Sequence, residues 1–333
     1  MSALRIRRTG RARSSRLTLG VVVVTLFGAL LAGCSSSVYE TTALPSPSAA
    51  PTTAAPSASP TSPPACANPL ASYAPPPAGF KGMLQSPDIS NIEKRGRLIV
   101  GVSADTLLLG ARNPISGKVE GFDIDMAHLV AKAIFGDANK LELRVITAAD
   151  RIPVLQDKSV DLVARNMTIN CARWAQIGFS AEYYRSGQKV LVPLDSTATS
   201  LADLAGKRVC APAGSTSLDK LKDFPKVIAV SAPTHTECLV RFQQAAVDAI
   251  TGDDTVLAGL VAQDPYAKVV GKAFTSEPYG LGMNKEHTDL IRFVNYVLAQ
   301  AEADGSWKAS YDKWLAAALG PAPAPPVANY GRG

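Results

Sequence analysis

Segments with strand and helix periodicity alternate twice along this chain, and no other feature of the sequence constrains the fold as strongly. In the first round, a strand at Leu98–Val102 is followed by a helix at 121–136, a strand at 141–148, a short helix at 150–159 and a strand at 160–166. Alternation of this kind predicts an α/β domain with a largely parallel sheet.

The second round repeats this pattern in the other half of the chain. It begins with a strand at Arg208–Ala211 and continues through a Gly/Ser/Thr loop into further helices and strands. We therefore expect two α/β units, connected near residues 190–196 and again near 276–283, with two closing helices within 287–319. A chain of 333 residues is long enough for two such units.

The first 33 residues are typical of an exported lipoprotein. An arginine-rich start without acidic residues precedes the apolar run Leu17–Ala32, which has the length of a signal-peptide core and is short for a membrane span. The sequence "LAGC" resembles a bacterial lipobox and predicts cleavage before Cys34, whose thiol would carry the lipid. A transmembrane anchor with an incidental cysteine is the alternative. General secretion is favoured over twin-arginine export, and the protein is expected on the extracytoplasmic face of the cell membrane, anchored by lipid.

Residues 34–85 are predicted to form a tether, because Ser, Thr, Pro and Ala dominate most of this stretch. Such a composition cannot bury enough apolar surface to offset the entropy of ordering, so a disordered or polyproline-like conformation is expected. The C-terminal residues 321–333 are predicted to be a coil. Whether the tether is glycosylated is left open by composition alone.

The positive net charge does not indicate nucleic-acid binding. The formal charge is +6, and the chain contains 34 basic and 28 acidic residues. Removing the arginines that precede the first acid leaves 28 basic against 28 acidic residues, which is no electrostatic footprint for a polyanion. These six arginines are Arg5, Arg7, Arg8, Arg11, Arg13 and Arg16.

Cysteine usage predicts disulfides. The chain has five cysteines, so lipidation of Cys34 leaves four in an oxidising compartment, where pairing is favoured. Of the three possible connectivities, we expect Cys210–Cys238 within one of the two α/β units, and Cys66–Cys171 between the N-terminal segment and the folded part of the chain. Neither a metal site nor a cofactor is expected, because the sequence has no CxxC, no P-loop and only three histidines.

The chain from about Lys94 to Leu319 resembles the family 3 extracellular solute-binding proteins, which deliver polar amino acids to ABC transporters. The matching segments occur in the family's order and are "RLIVGVS", "GFDIDMAHLVAKAI", "VDLVARNMTINCAR" with "IGFSAEYY", "LADLAGKRVCAPAGST", "AVDAITGDD" and "ADGSWKASYDKW". Two segments, "DRIPVLQDKSVDLV" and "HTECLVRFQQAAVDAITGDDTVLAG", are most similar to the glutamate/aspartate-binding members. The lipobox and the long Ser/Pro segment are typical of an actinobacterial lipoprotein.

This resemblance implies an α/β, two-lobe, periplasmic-binding-protein-like fold of type II, in which two crossing strands join the lobes and the ligand is clamped between them. The crossings would be "LVPLDS" and "SEPYGLGMN". Lobe 1 would comprise residues 86–192 and 282–320, and lobe 2 would comprise residues 193–281.

An amino acid enclosed between two lobes presents an α-carboxylate, an α-ammonium group and a side chain, and each buried charge needs a partner. The resemblance assigns the α-carboxylate to Arg173, since a guanidinium suits bidentate binding, and places Thr168 beside the ligand. Ser215 and Thr216, in a loop at a helix N-terminus, would add donors to the carboxylate, a role compatible with capping the helix. Asp253 would receive the α-ammonium group.

Four further residues are assigned to the ligand. Arg151 matches the arginine that meets the side-chain carboxylate in binders of acidic amino acids, and His235 matches a cleft histidine of the same subgroup. Arg165 and Asn166 stand where many relatives have small residues, and either reach the ligand or line the rim. The loop 103–114 lacks the aromatic stretch on which many relatives stack the ligand. L-Aspartate or L-glutamate is therefore favoured, with asparagine and glutamine left open.

The predicted function is the delivery of a free amino acid to an ABC permease by hinge closure of a monomeric protein. A sensor that reports amino-acid availability to a membrane receptor is the alternative, because both functions use the same closure. Catalysis is not expected, since a cleft enzyme needs an acid poised for proton transfer and Asp253 would be occupied by the ligand's ammonium group.

Overall fold

The computed structural model describes residues 66–76 and 84–332. The predicted signal peptide, the lipidation of Cys34 and most of the predicted tether lie outside the described residues. Within those two ranges, no helix is both long enough and apolar enough to cross a lipid bilayer.

Helices and strands alternate along the described chain as the sequence pattern predicts. The helices are α1 Pro87–Arg95, α2 Phe122–Phe135, α3 Pro153–Gln156, α4 Cys171–Trp174, α5 Thr216–Lys220, α6 His235–Gln243, α7 Asp254–Val261, α8 Thr288–Ala303, α9 Ser306–Trp314 and α10 Ala316–Leu319. The strands are β1 Ala71–Tyr73, β2 Leu98–Val102, β3 Asp105–Thr106, β4 Gly110–Arg112, β5 Val119–Glu120, β6 Leu141–Val145, β7 Leu162–Ala164, β8 Gly178–Phe179, β9 Tyr184–Ser186, β10 Gln188–Pro193, β11 Arg208–Pro212, β12 Ile228–Ala232, β13 Ala249–Asp253, β14 Ala267–Val270, β15 Glu277–Tyr279, β16 Gly282–Met283 and β17 Asn329–Arg332.

Lobe 1 is built on a five-stranded sheet in the order β6-β2-β7-β16-β8. The sheet is parallel through β6, β2 and β7, and β16 runs antiparallel between β7 and β8. Both faces of β2 are covered: Val100 packs in the cluster that contains α2 and α8, whereas Ile99 packs with Leu155 of α3. Burial on both faces explains why β2 is apolar without alternation.

Lobe 2 repeats the same plan on a second five-stranded sheet, in the order β12-β11-β13-β10-β14. Here β11 pairs in parallel with β12 and β13, and β10 runs antiparallel between β13 and β14. Leu191 of β10 packs with Leu257 of α7 on one face, and Val190 packs with Leu201 on the other. The two rounds of alternation in the sequence thus correspond to two sheets with the same strand order.

Two antiparallel strands, β9 and β15, join the lobes, with Tyr184 opposite Tyr279 and Ser186 opposite Glu277. The first crossing therefore precedes the predicted segment "LVPLDS", and lobe 2 begins before residue 193. The prediction was wrong at this point because "VLV" within β10 is buried as an internal strand of the lobe 2 sheet, where it pairs on both edges.

The chain ends also differ from prediction. β1 lies within the stretch predicted to be a tether, yet it pairs in parallel with β17, which lies within the predicted C-terminal coil. Ala71 and Ser72 are buried. Composition misses this pairing because a three-residue strand has no periodicity of its own, and its partner lies more than 250 residues away.

Two disulfides form, Cys66–Cys171 and Cys210–Cys238, and both predicted pairs are confirmed. The first joins β1's segment to α4 of lobe 1. The second joins β11 to α6 within lobe 2, where both cysteines are buried.

Candidate ligand-binding site

A cavity lies between the lobes, where the strands β7, β11 and β13 end. Its volume is about 10 Å³, which is the room for roughly one water molecule and less than any amino acid needs. An amino acid is therefore bound only in an arrangement in which the lobes lie further apart than they do here. The lining residues are Ala148, Arg151, Arg165, Asn166, Thr168, Pro212, Ser215, Thr216, Ser217, His235 and Asp253.

Eight of the nine predicted ligand-binding residues are among this lining, and Arg173 is the exception. Arg173 lies directly behind Thr168: its Nη1 donates to the Thr168 carbonyl at 2.7 Å, and its Nη2 donates to the Gly214 carbonyl of lobe 2 at 3.3 Å. Since a guanidinium has five N–H donors, three remain without a partner among the described residues.

The segment after β7 is held in an unusual conformation. Asn166 has a φ of 34°, which is uncommon for a residue other than glycine. Its backbone N–H donates to Asp123 Oδ2 at 2.7 Å, and Tyr183 Oη donates to the other oxygen of Asp123 at 2.6 Å. Burial raises the pKa of Asp123 to about 6. Asp123 comes from the first turn of α2, so helix, strand end and cavity wall are tied together at this carboxylate.

Most N–H donors of the Arg151 guanidinium form hydrogen bonds with backbone carbonyls. Its Nε donates to Ala148 O at 3.0 Å, Nη1 donates to both Arg165 O and Asn166 O, and Nη2 donates to Gly214 O at 3.1 Å. One N–H remains. Burial, followed by repulsion from the neighbouring guanidiniums of Arg173 and Arg165, lowers the pKa of Arg151 well below its usual value.

Of the two guanidiniums that line the cavity, that of Arg165 makes fewer hydrogen bonds than that of Arg151. Only its Nε makes a hydrogen bond within the described chain, to Ile146 O at 2.9 Å, although the residue is 5% exposed. Burial lowers its pKa, and the charges of Asp105, Asp123 and Asp150 act in the opposite direction. Its two terminal nitrogens are therefore available to an anion in the cavity.

Lobe 2 adds the loop that begins α5. Ser215 caps the helix by accepting the Leu218 N–H at 3.0 Å, a role that was expected to be compatible with ligand binding. Its hydroxyl donates to Pro212 O at 2.6 Å, so the expectation that this hydroxyl donates to the ligand's carboxylate is not met here. Gly214 has a φ of 71°, and a Cβ there would lie 2.7 Å from Ala149 Cα of lobe 1. A glycine is thus required both by the backbone and by the close approach of the lobes.

Glu277, on the crossing strand β15, is a site residue that the sequence analysis missed. Its Oε2 accepts the Thr168 hydroxyl from lobe 1 at 2.7 Å and the Thr216 hydroxyl from lobe 2 at 2.9 Å. The residue is 4% exposed. The signal that could have found it is an acidic residue within the otherwise uncharged segment "SEPYGLGM".

Asp253 ends β13 and faces the cavity. Tyr279 Oη donates to its Oδ2 at 2.6 Å, whereas its Oδ1 is buried without a hydrogen-bond partner among the described residues. The same holds for Asn166 Oδ1. Burial, followed by repulsion from Glu277, raises the pKa of Asp253 to about 7. Buried acceptors without donors are rare in proteins, so two of them at one cavity suit a cationic group.

His235 begins α6 beneath the cavity. Its Nε2 lies 3.2 Å from Thr251 O, and burial lowers its pKa to about 4, so the imidazole is neutral at pH 7. A neutral imidazole offers one donor and one acceptor instead of a charge. Among the described residues, no cluster of three or more His, Cys, Asp or Glu side chains could hold a metal ion.

Two lobes of equal strand order, two crossing strands and a charged cavity at the strand ends define a bilobal solute-binding protein. Residues 98–317 match the family model of the bacterial extracellular solute-binding proteins, family 3, and this chain belongs to that family. The family consists of binding proteins and not enzymes, as the sequence predicts.

Several characterised relatives bind amino acids. The glutamine-binding protein GlnH of a Bacillus subtilis ABC transporter is 34% identical over 229 residues, which cover 68% of this chain and 84% of the relative. A glutamine-binding protein of Geobacillus stearothermophilus is 41% identical over 200 residues, covering 60% and 76%. The glutamate-binding protein GluB of Corynebacterium glutamicum is 32% identical over 228 residues, covering 65% and 77%.

Solved structures confirm the predicted fold class. A mutant of the arginine-binding protein ArgBP from T. maritima superposes with a TM-score of 0.65 at 29% identity, over 69% of this chain and 99% of that one. The cysteine-binding protein of Campylobacter jejuni gives 0.67 at 27% identity, covering 69% and 94%. An ancestral arginine-binding protein bound to glutamine gives 0.63 at 34% identity, covering 66% and 98%.

Proposed function

We propose that this chain is a lipid-anchored, extracytoplasmic receptor for an acidic L-amino acid, L-glutamate or L-aspartate, which it delivers to an ABC importer by hinge closure. The observation that carries this proposal is the gathering of three buried guanidiniums at one interlobe cavity: Arg151 and Arg165 line it, and Arg173 lies directly behind Thr168 of its wall. Repulsion among these guanidiniums already lowers the pKa of Arg151. A ligand with two carboxylates relieves that repulsion better than a ligand with one.

The donors and acceptors around the cavity suit each group of such a ligand. The α-carboxylate accepts from Arg173, which keeps three N–H donors, whereas the Thr168 hydroxyl donates to Glu277 and adds no donor. The α-ammonium group donates to the unpartnered oxygens of Asp253 and Asn166. The side-chain carboxylate accepts from Arg165 and from the one remaining N–H of Arg151.

Transport is favoured over sensing by the relatives. One is named as part of an ABC transporter and others as import solute-binding proteins for glutamate and aspartate. The arginine-rich start, the apolar run and the "LAGC" sequence support lipid anchoring at Cys34. Closure around the ligand then presents both lobes to the permease in one fixed arrangement.

L-Glutamine is the second candidate. Two of the relatives that cover most of the folded chain are glutamine-binding proteins. A carboxamide places its oxygen toward Arg165 and its NH₂ toward a neutral acceptor, and the neutral His235 is such a group.

Isothermal titration calorimetry with L-glutamate, L-aspartate, L-glutamine and L-asparagine separates these candidates. We expect Arg173→Ala to abolish binding of all four, because they share the α-carboxylate. Arg151→Ala should weaken the two acids by roughly 10-fold or more, the effect of losing a hydrogen bond to a charged group, and the two amides less.

The matched control is Arg208→Ala, which removes a lobe 2 arginine that pairs with Asp248 outside the cavity lining. It should leave all four affinities unchanged. Equal weakening of all four ligands by Arg151→Ala would contradict the role given to Arg151, and a glutamine optimum would replace the acidic ligand by the second candidate.

A further inference from the structure

The helix that carries Arg173 is too short to be stable alone. α4 has four residues, Cys171–Trp174, and its N-terminal turn is closed by Asn170, whose Oδ1 accepts the Arg173 N–H at 2.9 Å. Isolated helices of this length do not persist in water. Contacts from elsewhere in the fold must therefore fix the position of Arg173.

Part of those contacts comes from the N-terminal segment, and Trp174 also packs edge-on against Phe179 of lobe 1. Cys171 is joined by a disulfide to Cys66, and the indole Nε1 of Trp174 donates to Pro69 O at 2.8 Å. Arg173 lies between these two residues in the sequence, and its guanidinium donates to the Thr168 carbonyl behind the cavity wall. Cys171 and Trp174, which flank Arg173 in α4, are thus both attached to residues 66–69.

The C-terminal strand completes the arrangement. The guanidinium carbon of Arg332 lies 3.7 Å from the centroid of the Trp174 ring, a cation–π contact, and Arg332 Nε donates to Ala71 O at 2.7 Å. We call residues 66–74 together with β17 the terminal clasp.

The terminal clasp is itself attached to lobe 1 by hydrogen bonds that are buried or partly buried. Ser72 Oγ donates to Phe179 O at 2.8 Å, and Asn295 Nδ2 of α8 donates to Ser72 Oγ at 2.8 Å and to Tyr73 O at 2.7 Å. Arg292 Nη1 donates to Ala74 O at 2.8 Å. The clasp is thus a fixed part of the lobe, and it transmits that rigidity to α4.

We propose that the terminal clasp positions Arg173 for the ligand's α-carboxylate, so that residues from both chain ends take part in ligand binding without contacting the ligand. This inference rests on the proposed function, in which Arg173 receives the α-carboxylate. Without the clasp, α4 samples other conformations, and ligand binding has to restore the productive one.

The inference predicts a particular pattern across ligands. The clasp acts on the group that all L-amino acids share, so its loss weakens glutamate, aspartate, glutamine and asparagine by the same factor. Arg151→Ala, in contrast, discriminates between acids and amides. A loss of stability alone changes none of the affinities at a temperature where every variant is fully folded.

The test uses the full chain, purified in detergent, and calorimetric titration of the four amino acids. The double variant Cys66→Ser/Cys171→Ser removes the covalent tie and should weaken each ligand by about 10-fold, the lower end of what lost supporting contacts cost at metal sites. The matched control is Cys210→Ser/Cys238→Ser, which removes the other disulfide and should leave affinity unchanged at full folding. Trp174→Phe keeps the disulfide, loses the hydrogen bond to Pro69 and should weaken all four ligands in the same ratio.

A reversible version of the test uses the Cys210→Ser/Cys238→Ser chain, in which Cys66–Cys171 is the remaining disulfide. Dithiothreitol reduces it to two thiols and should lower affinity, and reoxidation should restore it. Unchanged affinity in Cys66→Ser/Cys171→Ser and in Trp174→Phe, with both folded, would overturn the inference while leaving the proposed function intact. A wild-type chain that binds none of the amino acids would remove both.

Discussion

At the scale of single residues, Asp253 has the most informative environment. It is a buried carboxylate near Glu277. One of its oxygens accepts a hydrogen bond from Tyr279, and the other has no partner among the described residues. Burial disfavours its charged form, and its pKa is raised to about 7. Its affinity for an ammonium group therefore depends on pH within the neutral range.

The sign of this dependence follows from the raised pKa. Below pH 7 Asp253 is mostly protonated and neutral, so the partner of the ligand's ammonium group is lost as the pH falls. We expect affinity to drop by about 10-fold between pH 8 and pH 6, since the ionised fraction falls by about that factor. Titration calorimetry in buffers of different ionisation enthalpy should also detect proton release on binding near pH 7.

Asp253→Asn is the control for this prediction. This variant should bind the ligand weakly, and residue 253 should no longer make the affinity depend on pH. Any change of affinity that remains near pH 6 then comes from Asp123, whose pKa is raised to about 6. A wild-type affinity that is constant from pH 6 to pH 8 would contradict the assignment of Asp253 to the ammonium group.

At the scale of elements, the crossing strand β15 does more than connect the lobes. Glu277 on this strand accepts hydroxyl donors from Thr168 at the end of β7 and from Thr216 at the start of α5. Both threonines line the cavity. Because each hydroxyl has one proton and donates it to Glu277, each presents only acceptor lone pairs to a ligand.

Removing this carboxylate should have two measurable effects. Glu277→Ala removes the acceptor that links Thr168 of lobe 1 to Thr216 of lobe 2, so it should oppose closure of the lobes and weaken ligand binding by about 1–3 kcal/mol. Glu277→Gln retains an acceptor oxygen and should bind better than the alanine variant. Both should move the midpoint of the pH dependence to lower pH, because repulsion from Glu277 is the second cause of the raised pKa of Asp253.

Glu286→Gln, which neutralises an exposed carboxylate paired with Lys158, should leave both affinity and midpoint unchanged. An unmoved midpoint in Glu277→Gln would show that burial alone sets the pKa of Asp253.

At the scale of the whole molecule, the lobes approach each other closely at two glycines. Besides Gly214 against Ala149, Gly259 of α7 lies so near lobe 1 that a Cβ there would be 2.6 Å from Leu107 O. Thr236 Oγ1 also donates across the lobes, to Asp105 O at 2.9 Å. This surface forms only when the lobes are closed, since Leu107 and Gly259 belong to different lobes.

Gly259→Ala should therefore oppose closure without weakening the lobe. Alanine is favoured over glycine in a helix by about 1 kcal/mol, so thermal unfolding should be unchanged or shifted upward. We expect weaker binding of every ligand, together with a radius of gyration at saturating ligand that is larger than that of the wild type in small-angle X-ray scattering. Equal radii and equal affinities would show that α7 accommodates the extra methyl group.

Local patterns predicted much of this protein because they reflect local physics. β2 lies where the apolar run Leu98–Val102 predicts it. Cysteine number and the expected oxidising compartment predicted that four cysteines pair, and of the three possible connectivities the expected one forms. The residues that the family resemblance assigned to the ligand meet at one cavity, apart from Arg173 just behind it. Strand ends of parallel sheets gather at one edge, and this rule brings such residues together.

The remaining features were decided by contacts between distant segments. β1 pairs with β17 because a disulfide, a buried serine and an arginine over Trp174 hold a segment whose composition alone favours disorder. Glu277 joins the site because β15 passes between two threonines from different lobes. Periodicity and composition thus predicted many of the helices and strands of the two lobes, since these depend on neighbours in sequence. Only the tertiary structure decided which donors stay free for a ligand, because hydrogen-bond partners are neighbours in space.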